Sequence, residues 1–307
     1  MHITDNVKKI LENYGSDNPG TRSKLYNILM HGKLAGTGKM VILPVDQGFE
    51  HGPSRSFAKN PDAFDPDYHF KLAIEAGLSA YAAPLGFLEA GIDKFCGQIP
   101  TILKLNNNNS LTPKAESANL AITSSVKDAL RLGCSAVGFT IYPGSNKALE
   151  MIEEAREIIQ EAKLSGLPTV IWSYPRGGDI SKEGETAIDI CEYGAHIVSL
   201  LGAHIIKVKL PTPYLENNEA KKIYESEKIQ YDTLTKRVSR IVQSCFNGKR
   251  LVVFSGGVTK TEGDLLDEVK AIKNGNGNGS IIGRNVFQRP YKEAMKLLEA
   301  ICTIYNN

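Results

Sequence analysis

Residues 204–213 read HIIKVKLPTP. Side chains alternate faces along a strand, so Lys207 and Lys209 share one face while Ile206, Val208 and Leu210 take the other. Two readings fit this pattern. On one, it is an edge strand whose solvated lysines deter aggregation. On the other, it is an interior strand that keeps a buried amine for chemistry. The sheet to which the strand belongs decides between them.

Seven further short runs resemble strands: MVILPV (40–45), SAYAAP (79–84), TILKLN (101–106), AVGFTIY (136–142), TVIWSY (169–174), LVVFSG (251–256) and SIIG (280–283). Longer amphipathic segments separate them, which predicts βα units around a parallel sheet. In NKALEMIEEAREIIQEAKLSG, Leu149, Ile152, Ile158, Ile159 and Leu164 approximate a helical stripe that Gly166 ends. Eight such units in roughly 250 residues predict an α/β chain folded as a (β/α)8 TIM barrel, although a doubly wound sheet also alternates strand and helix. Residues 1–39 form an N-terminal helical extension, with a helix around Asn6–Tyr14 and a second segment RSKLYNILMHG. They would cover the barrel's lower end or make an oligomer contact, and residues 40–307 form the catalytic barrel. LNNNNS and NGNGNG read as tolerated polar loops.

A net charge of +2 without a long basic run gives no sign of a nucleic-acid or anionic-membrane surface. The opening residues lack the order of a signal peptide, and no stretch is apolar for long enough to span a bilayer, so a soluble, cytoplasmic protein is expected. Five scattered cysteines suit free thiols in a reducing compartment. No His-Glu-x-x-His or comparable cluster appears, so neither a metal nor a cofactor is expected.

Barrel enzymes build their sites at the carboxyl ends of the strands. There the first strand runs into DQGFEHGP, which brings Asp46, Glu50 and His51 to the mouth, unless Asp46 merely caps a tight turn. The fifth strand ends WSYPRGGD, with Trp172 and Tyr174 on one face and Arg176 beyond them. The loops after the seventh and eighth strands, where phosphate commonly binds, carry Ser255, Gly256 and Gly257, then Gly283 and Arg284. In a closed barrel the two lysines of HIIKVKL face inward. Partial burial and a second ammonium two residues away would both lower an amine's pKa, so Lys209 would activate Lys207, or the reverse. Strand period leaves that choice open.

Taken in order, PVDQGFEHGP, VGFTIYPGS, WSYPRGG, IIKVK, FSGGVTKT and GRNVFQRP resemble the archaeal-type class I fructose-bisphosphate aldolases over about residues 40–293. The resemblance implies a metal-free Schiff-base mechanism on a phosphorylated sugar in glycolysis and gluconeogenesis, and a homo-oligomer, commonly a decamer. It selects Lys207 as the Schiff-base residue and leaves Lys209 as its neighbour. Tyr174 matches the proton-transfer group, Asp46 the acidic group, and Trp172 a residue beside the substrate. Ser255, Gly256, Gly257, Gly283 and Arg284 match the grip on one phosphate, with His51 and Arg176 toward the other.

Two departures stand out. Gln47 occupies a position that is histidine in some relatives, and the strand opens with GAH where Gly-Ala-Asp is usual, which places His204 at its start for packing. The stretch from Leu210 to Arg237 is also longer than a short βα loop, and would serve as a lid, an interface or a substrate selector. The competing readings are a related Schiff-base lyase or transferase on another aldehyde, and a phosphate-binding or assembly protein with a vestigial site.

Overall fold

A computed structural model of the chain describes residues 2–113, 118–255 and 260–307. Eight strands carry the fold: β1 (Met40–Pro44), β2 (Ala80–Pro84), β3 (Thr101–Lys104), β4 (Ala136–Ile141), β5 (Thr169–Ser173), β6 (Ile205–Lys209), β7 (Leu251–Ser255) and β8 (Gly279–Ile281). They form a closed ring in sequence order, with β1 paired in parallel to both β2 and β8. That order excludes the doubly wound alternative. β6 lies between β5 and β7, so its lysines are not on an edge.

Strand period sorts the apolar residues into two cores. Met40, Ile42, Ala80, Ala82, Ile102, Val170, Trp172, Ile205, Val253 and Ile281 fill the barrel, whereas Val41, Tyr81, Leu103, Phe139, Ile206, Val208 and Phe254 pack outward against the helices. Packing inside is uneven in size. A side chain at Gly138 on β4 would bring its Cβ within 2.4 Å of the Trp172 ring, so the glycine makes room for the indole.

The N-terminal helices Asp5–Glu12 and Pro19–Leu29 are capped by Thr4 and Asn18, whose side chains accept the Val7 and Thr21 amides. Val7, Leu11, Leu25, Ile28 and Leu29 from this segment join the interior core, so the helices stop the barrel at its amino end. Tyr14 fastens the stopper. Its hydroxyl donates to the His204 carbonyl at 2.7 Å and accepts the Leu251 amide at 3.1 Å. His204 lies in this floor: Nδ1 accepts the Thr169 amide at 3.0 Å, and Nε2 faces Asp17 at 3.2 Å.

The helix after β4 spans Ala148–Leu164, and Gly166, at φ +74°, ends it. Its buried stripe is Met151, Ala155, Ile159 and Ala162, while Leu149 and Leu164 are 77% and 78% exposed. The expected stripe followed bulk, but close approach to the barrel favours alanine. The stretch after β6 contains the helix Asn218–Ser226, tied to the helix Ile188–Leu200 through Asp189, which accepts the Glu216 and Asn217 amides. From this stretch only Leu210 and Thr212 reach the central cavity described below. Among the described residues no helix is long and apolar enough to cross a membrane.

Tyr14→Phe removes a hydroxyl that bridges the His204 carbonyl and the Leu251 amide and leaves them only their own 3.3 Å bond, so we expect a loss of about 1 kcal/mol in denaturant unfolding. An unchanged unfolding midpoint with an unchanged slope would contradict this account of the floor.

Candidate active site

A cavity of about 600 Å³ opens at the carboxyl ends of the strands. It is lined by Asp46, Glu50, His51, Tyr174, Arg176, Lys207, Lys209, Ser255, Gly283 and Arg284, among others. β6 projects Lys207 into the barrel directly above Ile205, and the side chain is buried. Its Nζ lies 5.1 Å from the centre of the Trp172 ring and 5.4 Å from that of Tyr174. Burial pushes this amine down to about 8; Asp46 and Glu50 oppose the shift, while Lys104 and Arg284 add to it. At neutral pH roughly a tenth of such an amine is free base, against about one part in 2,500 for an ordinary lysine.

The nearby ammonium is therefore Lys104, not Lys209. Lys104 ends β3 and is as buried as Lys207, with Nζ 5.6 Å from the centre of the same Trp172 ring. It donates to the backbone carbonyl of Asn106 and, at 3.0 Å, to its Oδ1. The Asn106 amide is locked in turn by the Thr140 backbone, accepting its N–H and donating to its carbonyl, each at 2.8 Å. Burial pushes Lys104 down to about 8 as well. Asn106 and Asn107 are accordingly no tolerated polar turn: both are buried and pair antiparallel with Ala121–Ile122.

Asp46 is buried just beyond β1 and makes no side-chain cap to the following turn, so it is not a turn-former. Glu50, one turn on, has its pKa raised, first by burial and then by the charge of Asp46. A carboxyl whose pKa is raised in this way suits a proton donor. Tyr174 is held well above the usual phenol range by burial and by Asp46, so its hydroxyl keeps its proton to donate. His51 is pushed below its usual range by burial, Arg284 and Arg55.

On the side of β7 and β8 stand Ser255, Arg284 and Arg55. Asn285 accepts the Lys260 amide at 2.8 Å, tying the two loops together. Gly283 is required there, because a Cβ would come within 2.7 Å of the Pro44 carbonyl. Gly256 and Gly257, expected beside them, lie outside the described residues. Arg176 stacks on Tyr142, 4.6 Å from its ring centre. Lys209 is turned to Glu185 at 3.0 Å, so the expected activating role has no geometric support.

Of the residues expected from sequence, Lys207, Tyr174, Asp46, His51, Arg176, Ser255, Gly283, Arg284 and Lys209 all line one cavity, with Trp172 beneath it. Lys104 and Asn106 were missed. The signal was present: TILKLN carries a lysine inside an apolar strand, as HIIKVKL does.

The model of the DeoC/LacD family aldolases matches residues 40–289. The chain is 36% identical over 312 residues to a probable class 1 fructose-bisphosphate aldolase of Chlamydia muridarum, covering 98% of this chain and 88% of that protein. To the class 1 fructose-bisphosphate aldolase of Thermoproteus tenax it is 38% identical over 272 residues, covering 88% and 91%. Among solved structures, it is similar to an archaeal fructose-1,6-bisphosphate aldolase whose catalytic lysine is covalently bound to the carbinolamine intermediate of the substrate. That similarity has a TM-score of 0.75 and 32% identity, covering 97% and 100% of the two chains.

Competitive acylation of Lys207 against pH, read by peptide mass mapping, should level off above about 8, where the amine is already free base. An ordinary lysine would keep gaining reactivity toward about 10.4. Lys104→Met removes a like charge and should move the Lys207 midpoint upward; a midpoint that stays put would contradict the coupling.

Proposed function

The chain belongs to the DeoC/LacD family of aldolases, and from that membership we propose that it is a class I fructose-bisphosphate aldolase. It would cleave fructose 1,6-bisphosphate reversibly to dihydroxyacetone phosphate and glyceraldehyde 3-phosphate, in glycolysis and gluconeogenesis. The observation that carries this reading is Lys207: a buried amine with its pKa pushed down to about 8, in a cavity lined by cations.

Free-base Lys207 attacks the C2 ketone to give a carbinolamine. Tyr174 donates a proton to the departing hydroxyl, water leaves, and a protonated imine remains. The phenolate left on Tyr174 takes the proton of the C4 hydroxyl, the C3–C4 bond breaks to release glyceraldehyde 3-phosphate, and the electron pair moves into the iminium nitrogen to form the enamine. Reprotonation at C3 and hydrolysis then release the three-carbon ketone and restore Lys207. Asp46 balances the positive nitrogen, while Glu50, whose pKa is raised, supplies a second exchangeable proton. Ser255 and Arg284 hold one phosphate and thereby place C2 against Lys207. Because the imine accepts the electrons, the scheme needs no metal.

A cytoplasmic setting fits the five free thiols, four of them buried. A homo-oligomer fits the exposed Tyr193, Leu200 and Ile223 on the helices Ile188–Leu200 and Asn218–Ser226.

Treatment with dihydroxyacetone phosphate and borohydride should leave a stable adduct on Lys207, found by peptide mapping, and cleavage should survive EDTA. An adduct on Lys209 or Lys104 would overturn the assignment. Tyr174→Phe should lower kcat by about 10²–10⁴.

A further inference from the structure

We propose that His204 is a proton-sensitive pin for the amino-terminal stopper. As a neutral ring it holds the turn between the helices Asp5–Glu12 and Pro19–Leu29 against the barrel floor, and protonation of the ring loosens that turn. The pin lies at the end of the barrel opposite the cavity and does not depend on the aldolase reading.

The ladder between β5 and β6 starts at Val170 and Ile205, so the Thr169 amide lies one residue below it. The His204 ring stands in for a strand acceptor there: Nδ1 accepts that amide at 3.0 Å. A neutral imidazole has one N–H, and with Nδ1 accepting, its proton sits on Nε2, which faces the Asp17 carboxylate at 3.2 Å. Other groups bind the turn to the same place. Tyr14 stacks its ring on the imidazole, with centroids 5.6 Å apart and planes 21° from parallel. Asn18 donates its side-chain amide to the Lys163 carbonyl, and a Cβ on Gly20 would come within 3.0 Å of the Gly166 Cα. The side chains of His204 and Asp17 are only 1% and 6% exposed, so little water is at hand to solvate a new charge.

A second proton has no comparable place. On Nδ1 it would point at the Thr169 amide proton or turn to the Thr169 hydroxyl, also 3.0 Å away, and either way the buried amide loses its acceptor. Asp17 favours the cation, but its carboxylate also faces Lys163 Nζ, at 3.3 Å. The charges of Lys163, in the last turn of the helix after β4, and of Arg250, which stacks on Tyr14 5.1 Å from its ring centre, both oppose it. Burial opposes it most, and the ring is pushed below the usual histidine range. Such a group contributes stability that is fully present above its unfolded pKa near 6.5 and is lost as the pH falls below that value. Asp17, whose pKa is lowered from that of an ordinary carboxylate, keeps its charge across this window.

The test is hydrogen exchange of residues 5–29 in the full chain, read by peptide mass spectrometry at about pH 7.5 and about pH 5.5 and corrected for intrinsic rates, in the parent and in His204→Asn. Asparagine can still accept the Thr169 amide through Oδ1 but does not titrate. In the parent, opening of this segment should rise between the two pH values by up to about tenfold, the limit for a group of pKa near 6.5 that stays neutral when seated. The parent's rise should exceed the variant's at least about twofold, and a smaller excess overturns the pin. An equal rise in peptides from residues 40–113 overturns it too, because the whole barrel and not its stopper would then be opening. If His204→Asn fails to fold, Asp17→Asn decides. That variant keeps an acceptor for Nε2–H but removes the charge that favours the cation, so opening should respond to acid at least as steeply as in the parent. A flattened response would assign the acid sensitivity to the carboxylate and overturn the pin.

Discussion

Closing eight strands into a ring removes water from the inner face of every strand, and the chemistry of the site depends on that constraint. An apolar side chain gains from the enclosure, as Ile205 does below Lys207. An ammonium loses hydration and recovers it only through hydrogen bonds, through nearby anions or by shedding its proton. Lys104 and Lys207 meet the same enclosure differently. Lys104 is held by two oxygens of Asn106, which reward a proton, whereas Lys207 faces two aromatic rings and an open cavity. The more constrained amine is thus the better placed to remain a cation, and the less constrained one to act as the nucleophile.

Trp172 joins the two. Both amines lie over its ring, at 5.6 and 5.1 Å from the centre, and it fits only because Gly138 on the neighbouring strand offers no side chain. Strand β4 contributes twice, since the Thr140 backbone that orients Asn106 lies two residues further along it. A stretch that reads as plain β-sheet, AVGFTI, therefore positions both the aromatic platform and the clamp on Lys104.

Much of this was legible in the sequence. Eight strand-like runs match eight strands because barrel strands are short, β-branched and buried on both faces, which writes them strongly into the residues. Alternation placed Lys207 on the inner face correctly. It also put Lys209 there, yet gave no means to see that a glutamate from another loop would claim it. Such pairings depend on which loops meet, and local patterns do not record that. LNNNNS misled for a related reason: asparagines usually mark solvated turns, and only the fold shows that Asn106 has a buried amine to satisfy. The helix Ala148–Leu164 was found, and its buried face only in part: Ile158 and Ile159 pack on the core as expected, but Ala155 and Ala162 were missed, since alanine carries little hydrophobic signal even where it permits the closest packing.

The stopper at the amino end also bears on how the chain is made. Tyr14 bonds to Leu251, a residue 237 positions later. At about 5–20 residues per second, a ribosome takes on the order of 10–50 s to cover that distance. Until β6 and β7 emerge, Val7, Leu11 and Leu25 have no floor to fill, so a segment that precedes every barrel strand is among the last to be seated. Seating the stopper thus waits on completion of the barrel, and a nascent chain must shelter these apolar side chains while all of β1 to β7 is made.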